Sequence, residues 1–173
     1  MRRVAVIASA SGNGKTTFGR ELARRLDVQF VELDELVHGP GWTETPDDEL
    51  RALVEPVLAA DGWVIDGGYQ RKLGTLVLDS ADAVVWLDLP IRIWLPRLVR
   101  RTWRRIKRRE ELWNGNRESL ASAIWGRESL IVWALRSHFR SRRQWPQALS
   151  HHRVIRLTTP AQVDAFLKVG WAD

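Results

Sequence analysis

The chain has 173 residues, no cysteine and a formal net charge of +6 at neutral pH. That length suits one domain with a substantial core. The missing cysteine excludes disulfides, thiolate nucleophiles and thiolate metal sites. No apolar run approaches the roughly 18 residues of a membrane span, so the expectation is a cytoplasmic protein with no membrane partner.

The charge is uneven. Residues 92–143 hold fifteen basic residues against four acidic ones, a net of +11, and the rest of the chain carries −5. One basic segment on an acidic body implies an anionic partner such as nucleotide phosphates or nucleic acid. Trp occurs ten times, mostly at helical spacing or beside strands, which reads as packing.

Residues 4–17 read VAVIASASGNGKTT. An apolar strand runs into a small-residue loop, and an amphipathic helix follows with Phe18, Leu22, Ala23 and Leu26 on one face. Met1 to Arg3 therefore lead into a core strand and not a leader sequence. Strand, loop and helix are the context a phosphate-binding loop requires. Ser11, Gly12, Asn13, Gly14, Lys15, Thr16 and Thr17 are its expected phosphate contacts. Backbone N–H groups and the helix N-terminus attract the anion. Lys15 is expected to reach the β- and γ-phosphates and the Thr16 hydroxyl to ligate Mg²⁺. The pattern departs from G-x-x-x-x-G-K-[ST] at one place: Ser9 stands at the first Gly, and its Cβ resists positive φ.

Residues 29–33 read as a second strand ending at Asp34. An irregular stretch with Gly39, Pro40 and Gly41 follows. Thr45-Pro46-Asp47-Asp48 reads as a helix start, with Thr45 at the N-cap and Pro46 at N1. The helix is expected to run to about Ala60, with Leu50, Leu53, Val54, Val57 and Leu58 inward and a kink at Pro56. Residues 63–65 form a third strand ending at Asp66, and a short helix is expected over 72–77. Residues 83–87 are a fourth strand ending at Asp88, and Pro90 opens a long basic helix. Another helix is expected over about 117–143, broken near Gly126. Residues 153–157 form a fifth strand, and Pro160 opens a last helix. Apolar strands alternating with helices argue an α/β fold with a parallel sheet covered on both faces. The whole of 1–173 reads as a single domain, with the basic segment, about 92–143, as a helical insertion.

Ligands of such sheets bind outside the carboxyl ends of the strands. Three of those ends carry Asp34, Asp66 and Asp88. Asp88, before Leu89-Pro90, is expected to cap the next helix. Trp42, in its Gly/Pro loop, either stacks on an acceptor ring or anchors the loop, and Tyr69 is a similar case. Arg100, Arg101, Arg104, Arg105, Arg108 and Arg109 follow i, i+4 rows. His38, His138, His151 and His152 lack metal-ligand spacing and read as surface or loop residues.

The phosphate loop, LDEL at 33–36, PGW at 40–42, IDGGY at 65–69, LDLP at 87–90 and REELWNGNRE at 109–118 resemble one kinase-like group. That group is the bacterial DNA topology modulation proteins, or adenylate kinase-like P-loop proteins. The resemblance implies a three-layer P-loop NTPase fold with a five-stranded parallel sheet in order 2-3-1-4-5 and a helical lid. It implies ATP and Mg²⁺ as cofactors and a small-molecule phosphoryl acceptor. Asp34 matches the acidic residue that faces the acceptor in such kinases. Asp66 resembles the aspartate of the adenylate kinase D-G-x-P-R segment, which holds Mg²⁺ through water. Here the segment reads DGGYQR, without the Pro, and Arg71 falls one residue later. The acceptor would lie near Asp34, Trp42, Tyr69 and Arg71. The basic helices fit the lid, with Arg101 and Arg105 entering the closed site, and Asn114-Gly115-Asn116 is a tight turn at its hinge or tip. The loop with Thr159 would pass the adenine through its backbone. The expected activity is ATP-dependent small-molecule phosphoryl transfer by an adenylate kinase-like enzyme. The alternative is a nucleic-acid-associated ATP-binding regulator, supported by the +11 segment but by no DNA-reading motif.

Overall fold

The computed structural model describes residues 1–117 and 129–169. Five strands form one parallel sheet: β1 (Arg3–Ala8), β2 (Gln29–Glu32), β3 (Trp63–Asp66), β4 (Ala83–Leu87) and β5 (Val154–Leu157). Their order is β2-β3-β1-β4-β5, as the resemblance implied. The helices are α1 (Lys15–Leu26), α2 (Leu33–Val37), α3 (Asp47–Leu58), α4 (Gln70–Leu73), α5 (Leu76–Asp79), α6 (Ile91–Arg108), α7 (Leu130–Ala148) and α8 (Pro160–Val169). Among the described residues, no helix is long and apolar enough to cross a membrane.

The strand period of two divides the central strands between two cores. Ala5, Ile7, Trp63, Ile65, Val84 and Trp86 pack toward Leu50, Val54 and Leu58 of α3 and Val77 and Leu78 of α5. Their neighbours Val4, Val6, Val64, Val85 and Leu87 pack toward Phe18, Leu22 and Ala23 of α1, with Phe166 of α8 alongside. Both faces of the sheet are buried, which is why β1, β3 and β4 read as unbroken apolar runs.

Several expectations shift. Thr45 does not cap α3; its hydroxyl donates to the Leu36 carbonyl at 2.6 Å, and Pro46 takes the cap position without a side-chain bond. Leu53 turns outward. The helix passes through Pro56 and continues to Leu58, without the bond that a backbone N–H at 56 would donate to the Ala52 carbonyl. The helix expected over 72–77 is two single turns, α4 and α5, separated at Gly74 with φ 59°. Helix α7 starts after Ser129, whose hydroxyl accepts the Val132 N–H, and ends at Ala148, beyond the expected residue 143. Gly126 and Glu118 lie outside the described residues. His138 is buried and packs against the Trp94 ring at 5.5 Å. Burial and the nearby Arg142 hold its pKa below the usual histidine value.

Asp88 corrects its expected role most clearly. Helix α6 has Pro90 at its N-cap and no side-chain cap. Asp88 is 1% exposed. It accepts the Ser9 hydroxyl at 2.6 Å, Arg142 Nε at 3.1 Å and Arg156 Nε at 3.0 Å. Ser9 in turn accepts the Trp86 indole N–H at 2.9 Å. The first position of the phosphate loop therefore needs a hydroxyl here, and it needs no positive φ: the left-handed residues of the loop are Gly12 and Gly14. Asp88→Asn should lower stability by about 1–3 kcal/mol, because charge-assisted bonds to two arginines are lost while both guanidiniums can still reach water. Urea unfolding measures it, and Arg142→Ala should show a smaller loss.

Candidate active site

Parallel pairing places the site. Val6 of β1 is in register with Asp66 of β3, and Glu32 of β2 pairs with the same Asp66. The carboxyl ends of three strands thus converge on the loop that leaves β1.

That loop is pinned on both sides. Asn13 is buried; its Nδ2 donates to the Ala10 carbonyl at 2.8 Å and its Oδ1 accepts the Leu89 N–H at 2.9 Å. Gly12 has φ +87°, and a Cβ there would stand 2.6 Å from the Trp94 carbonyl of α6. Gly14, at φ +89°, is the N-cap of α1 and faces open space. Ser11 is part-buried in the loop, and Thr17 is exposed in the first turn of α1.

Lys15 Nζ lies 2.6 Å from Asp66 Oδ1, and the Thr16 hydroxyl donates to Asp66 Oδ2 at 2.6 Å. Asp66 is 1% exposed. Burial alone would lower the Lys15 pKa, but the charges of Asp66, Asp34 and Glu32 outweigh it and hold the ammonium above its usual value. Glu32, absent from the sequence-based set, belongs here. Its carboxylate lies 3.4 Å from the Thr16 hydroxyl oxygen and pairs with Arg20 at 3.3 Å. Burial, then the Asp66 and Asp34 charges, push its pKa up. Its signal was the E-x-D spacing with Asp34.

Asp34 is not at a strand end; it lies in the first turn of α2. Its Oδ1 accepts the Tyr69 hydroxyl, whose oxygen is also 3.4 Å from His38 Nε2. Burial and the Asp34 charge raise the Tyr69 pKa far above the usual phenol value. Tyr69 has φ +40° and Trp42 φ +61°, and a bulky residue in this region costs about 1–3 kcal/mol. Trp42 is exposed and meets His38 edge-on at 5.5 Å, and the Trp113 ring lies 5.8 Å from that of His38.

Arg71 is exposed and pairs with Glu44 at 3.5 Å. Arg101 and Arg105 stand part-buried on α6, four residues apart. Thr159 serves a local purpose. Its hydroxyl accepts the Gln162 N–H at 3.2 Å, and Gln162 Oε1 accepts the N–H groups of Thr158 and Thr159. This capping box starts α8 and occupies the N–H groups of Thr158 and Thr159.

The donor set fits Mg²⁺ with a nucleotide. Thr16 Oγ1 and Asp66 Oδ2 are hard oxygen ligands at the foot of a phosphate loop. Among the described residues no three His, Asp or Glu side chains form a metal cage. Mg²⁺ commonly takes one or two protein oxygens plus phosphates and water.

Comparison with known proteins agrees with this geometry. The Shikimate kinase family model matches residues 11–39, the phosphate loop through α2. A shikimate kinase of Corynebacterium glutamicum is 27% identical over 161 residues, covering 86% of this chain and 95% of that protein. Shikimate kinase 2 of Dickeya chrysanthemi is 40% identical over 67 residues, covering 38% of this chain and 31% of that protein. Shikimate kinase from Acinetobacter baumannii in complex with shikimate superposes with TM-score 0.60 at 18% identity, covering 98% and 91% of the two chains. A gluconokinase from Sinorhizobium meliloti gives 0.55 at 19% identity, covering 97% and 92%. The chain is a P-loop kinase by fold and phosphate loop. Its matched relatives are shikimate kinases, and the likeness to DNA topology modulation proteins finds no support among them.

Glu32→Gln should stabilise the nucleotide-free kinase at neutral pH. A carboxyl whose folded pKa is raised favours folding below its unfolded value and loses that contribution as pH rises through the folded value. The two proteins should therefore be equally stable below the ordinary glutamate value of 4.5. They should diverge in favour of the variant above it. Thermal melts across pH check this.

Proposed function

We propose that this kinase transfers the γ-phosphoryl group of Mg·ATP to a hydroxyl of a small polyhydroxylated acid, shikimate being the first candidate. The observation carrying this is the adjacency of a phosphate loop, with Lys15 and Thr16 on Asp66, to Asp34 on the neighbouring helix. The names of the matched shikimate kinases and of the gluconokinase supply the acceptor class.

Phosphoryl transfer needs positioning and charge neutralisation more than covalent chemistry. The loop N–H groups and the start of α1 receive the phosphates. Lys15, released from Asp66, turns its ammonium to the β- and γ-oxygens. Thr16 and Asp66 would hold Mg²⁺, which when bound neutralises charge on the transferring group. Asp34 accepts the hydroxyl proton of the acceptor as its oxygen bonds to the γ-phosphorus and the bond to the β-phosphate oxygen breaks. Arg101 and Arg105, with others of the basic helices, are candidates for the charge that closes over the nucleotide. A nucleic-acid regulator is not favoured by any contact in the site.

Coupled ADP release with Mg·ATP against shikimate, gluconate, other sugar acids and nucleosides tests the reading. Acceptor-dependent release with a hydroxy acid is expected, and Lys15→Ala should reduce it by about 10²-fold or more. A flat panel, or undiminished turnover in Lys15→Ala, would refute it.

A further inference from the structure

Ser9 stands where the phosphate-loop pattern has a glycine, and its side chain is committed on both sides. An indole N–H only donates and a carboxylate oxygen accepts. Ser9 therefore accepts from Trp86 Nε1 at 2.9 Å and donates its own proton to Asp88 Oδ1 at 2.6 Å. Its backbone N–H donates to the Leu87 carbonyl at 3.2 Å. The first residue of the loop is thus fixed to the end of β4 by backbone and side chain alike. A glycine here would leave a buried indole N–H and a buried carboxylate oxygen without this partner.

The other oxygen of that carboxylate leads away from the loop. Oδ2 accepts Arg156 of β5 and Arg142 of α7. Arg156 belongs to the sheet and lies over the Trp86 ring. Arg142 comes from the far end of the basic segment, and its side chain is 45% exposed. Because two guanidiniums share Oδ2, Asp88 keeps a partner when Arg142 is lost, so the fold itself has little need of Arg142. Ala134, His138 and Arg142 are spaced four apart and share one face of α7. Ala134 is buried with Trp94 and Leu98 of α6 and Ala10 of the loop, and His138 lies against the Trp94 ring. The backbone of α6 in turn abuts Gly12, where a Cβ would stand 2.6 Å from the Trp94 carbonyl. One face of α7 therefore meets the phosphate loop twice, through Arg142 and Asp88 at Ser9 and through α6 at Ala10 and Gly12.

We propose that Ser9, Asp88 and Arg142 are positioning residues for the nucleotide: through them α7 holds the phosphate loop in its anion-binding form. This role rests on the kinase reading and deepens it. The loop binds an anion only when its N–H groups converge on one point, and that convergence depends on where the loop starts as well as on where it ends. Asp66 fixes the end, at Lys15 and Thr16. Asp88 fixes the start, at Ser9, and Arg142 makes α7 part of that anchorage. Arg142 acts on nucleotide affinity through Asp88 and Ser9 and touches no phosphate.

Calorimetric titration of the full-length protein with Mg·ADP, beside melting curves, tests it. Ser9→Gly restores the common glycine of the pattern, yet it should raise the Kd roughly three- to tenfold, the equivalent of one hydrogen bond. Arg142→Gln should raise the Kd about two- to fivefold, and Arg142→Lys, which keeps a charged donor, should raise it less. In the Ser9→Gly background Arg142→Gln should add no further loss. In turnover the same variants should raise the KM for ATP and leave the KM for the acceptor unchanged. Variants that melt lower but keep the wild-type Kd would overturn the role, since the network would then serve the fold alone. Fully additive losses would overturn it too, since Arg142 would then contact the phosphates directly. If Ser9→Gly does not fold, the two Arg142 variants carry the test: a Kd rising from wild type to Lys to Gln upholds the role, and equal values overturn it. Mg·ADP binding that follows this pattern without turnover of any acceptor upholds the role and refutes the kinase reading alone. No Mg·ADP binding to the wild type refutes both.

Discussion

One buried carboxylate, Asp66, holds both Lys15 and Thr16. Everything in the phosphate site depends on where that carboxylate stands. It stands at the end of β3, between β1 and β2, because β3 pairs in parallel with both. In the nucleotide-free protein the ion pair with Asp66 offsets the lowering of the Lys15 pKa that burial brings. It also stores the group in the position from which phosphates can take it.

A second buried carboxylate organises the other flank. Asp88 ends β4 as Asp66 ends β3, yet it meets Ser9, Arg142 and Arg156 and no nucleotide-facing group. The phosphate loop therefore hangs between two acids: one bonds its first residue and the other its last two. Arg156 also lies over the Trp86 ring at 4.3 Å, which keeps the guanidinium against the sheet. Helix α7 reaches the sheet through Arg142 at the end of the basic segment. That segment is thus tied to the nucleotide half of the molecule at its far end. At its near end Trp94 and Leu98 of α6 pack with Ala10 of the phosphate loop.

The neighbourhood of Asp34 is built differently. It uses rings, two asparagines and a strained backbone in place of a charged pair. Residues 112–116 are distant in sequence from 38–42, and side-chain amide bonds and the His38–Trp113 ring contact join them. Directional bonds to backbone atoms can hold a loop in a high-energy conformation that apolar contacts alone would let relax. The result is an exposed indole edge-on to His38, and a Tyr69 hydroxyl bonded to Asp34.

The strands, the phosphate loop and the placing of Asp66 at a strand end were readable in the chain itself. Each depends on local chemistry: unbroken apolar runs, glycines at positive φ, and an acid directly after a strand. The sheet order came through the family resemblance. Other features depended on neighbours far along the chain. Asp88 looked like a cap because Pro90 follows it, but Ser9, Arg142 and Arg156 arrive from three other elements and bind it first. Thr45 and Thr159 each had one apparent use, and a nearby carbonyl or glutamine decided another. Glu32 became a site residue only when β2 paired with β3. The asparagines of the 113–116 turn showed a turn in sequence; their second function, holding Trp42, exists only where folding brings the two loops together. Sequence determines what each residue can donate, accept or bury. Tertiary structure decides which partner comes within about 3 Å first, since hydrogen bonds are short and directional.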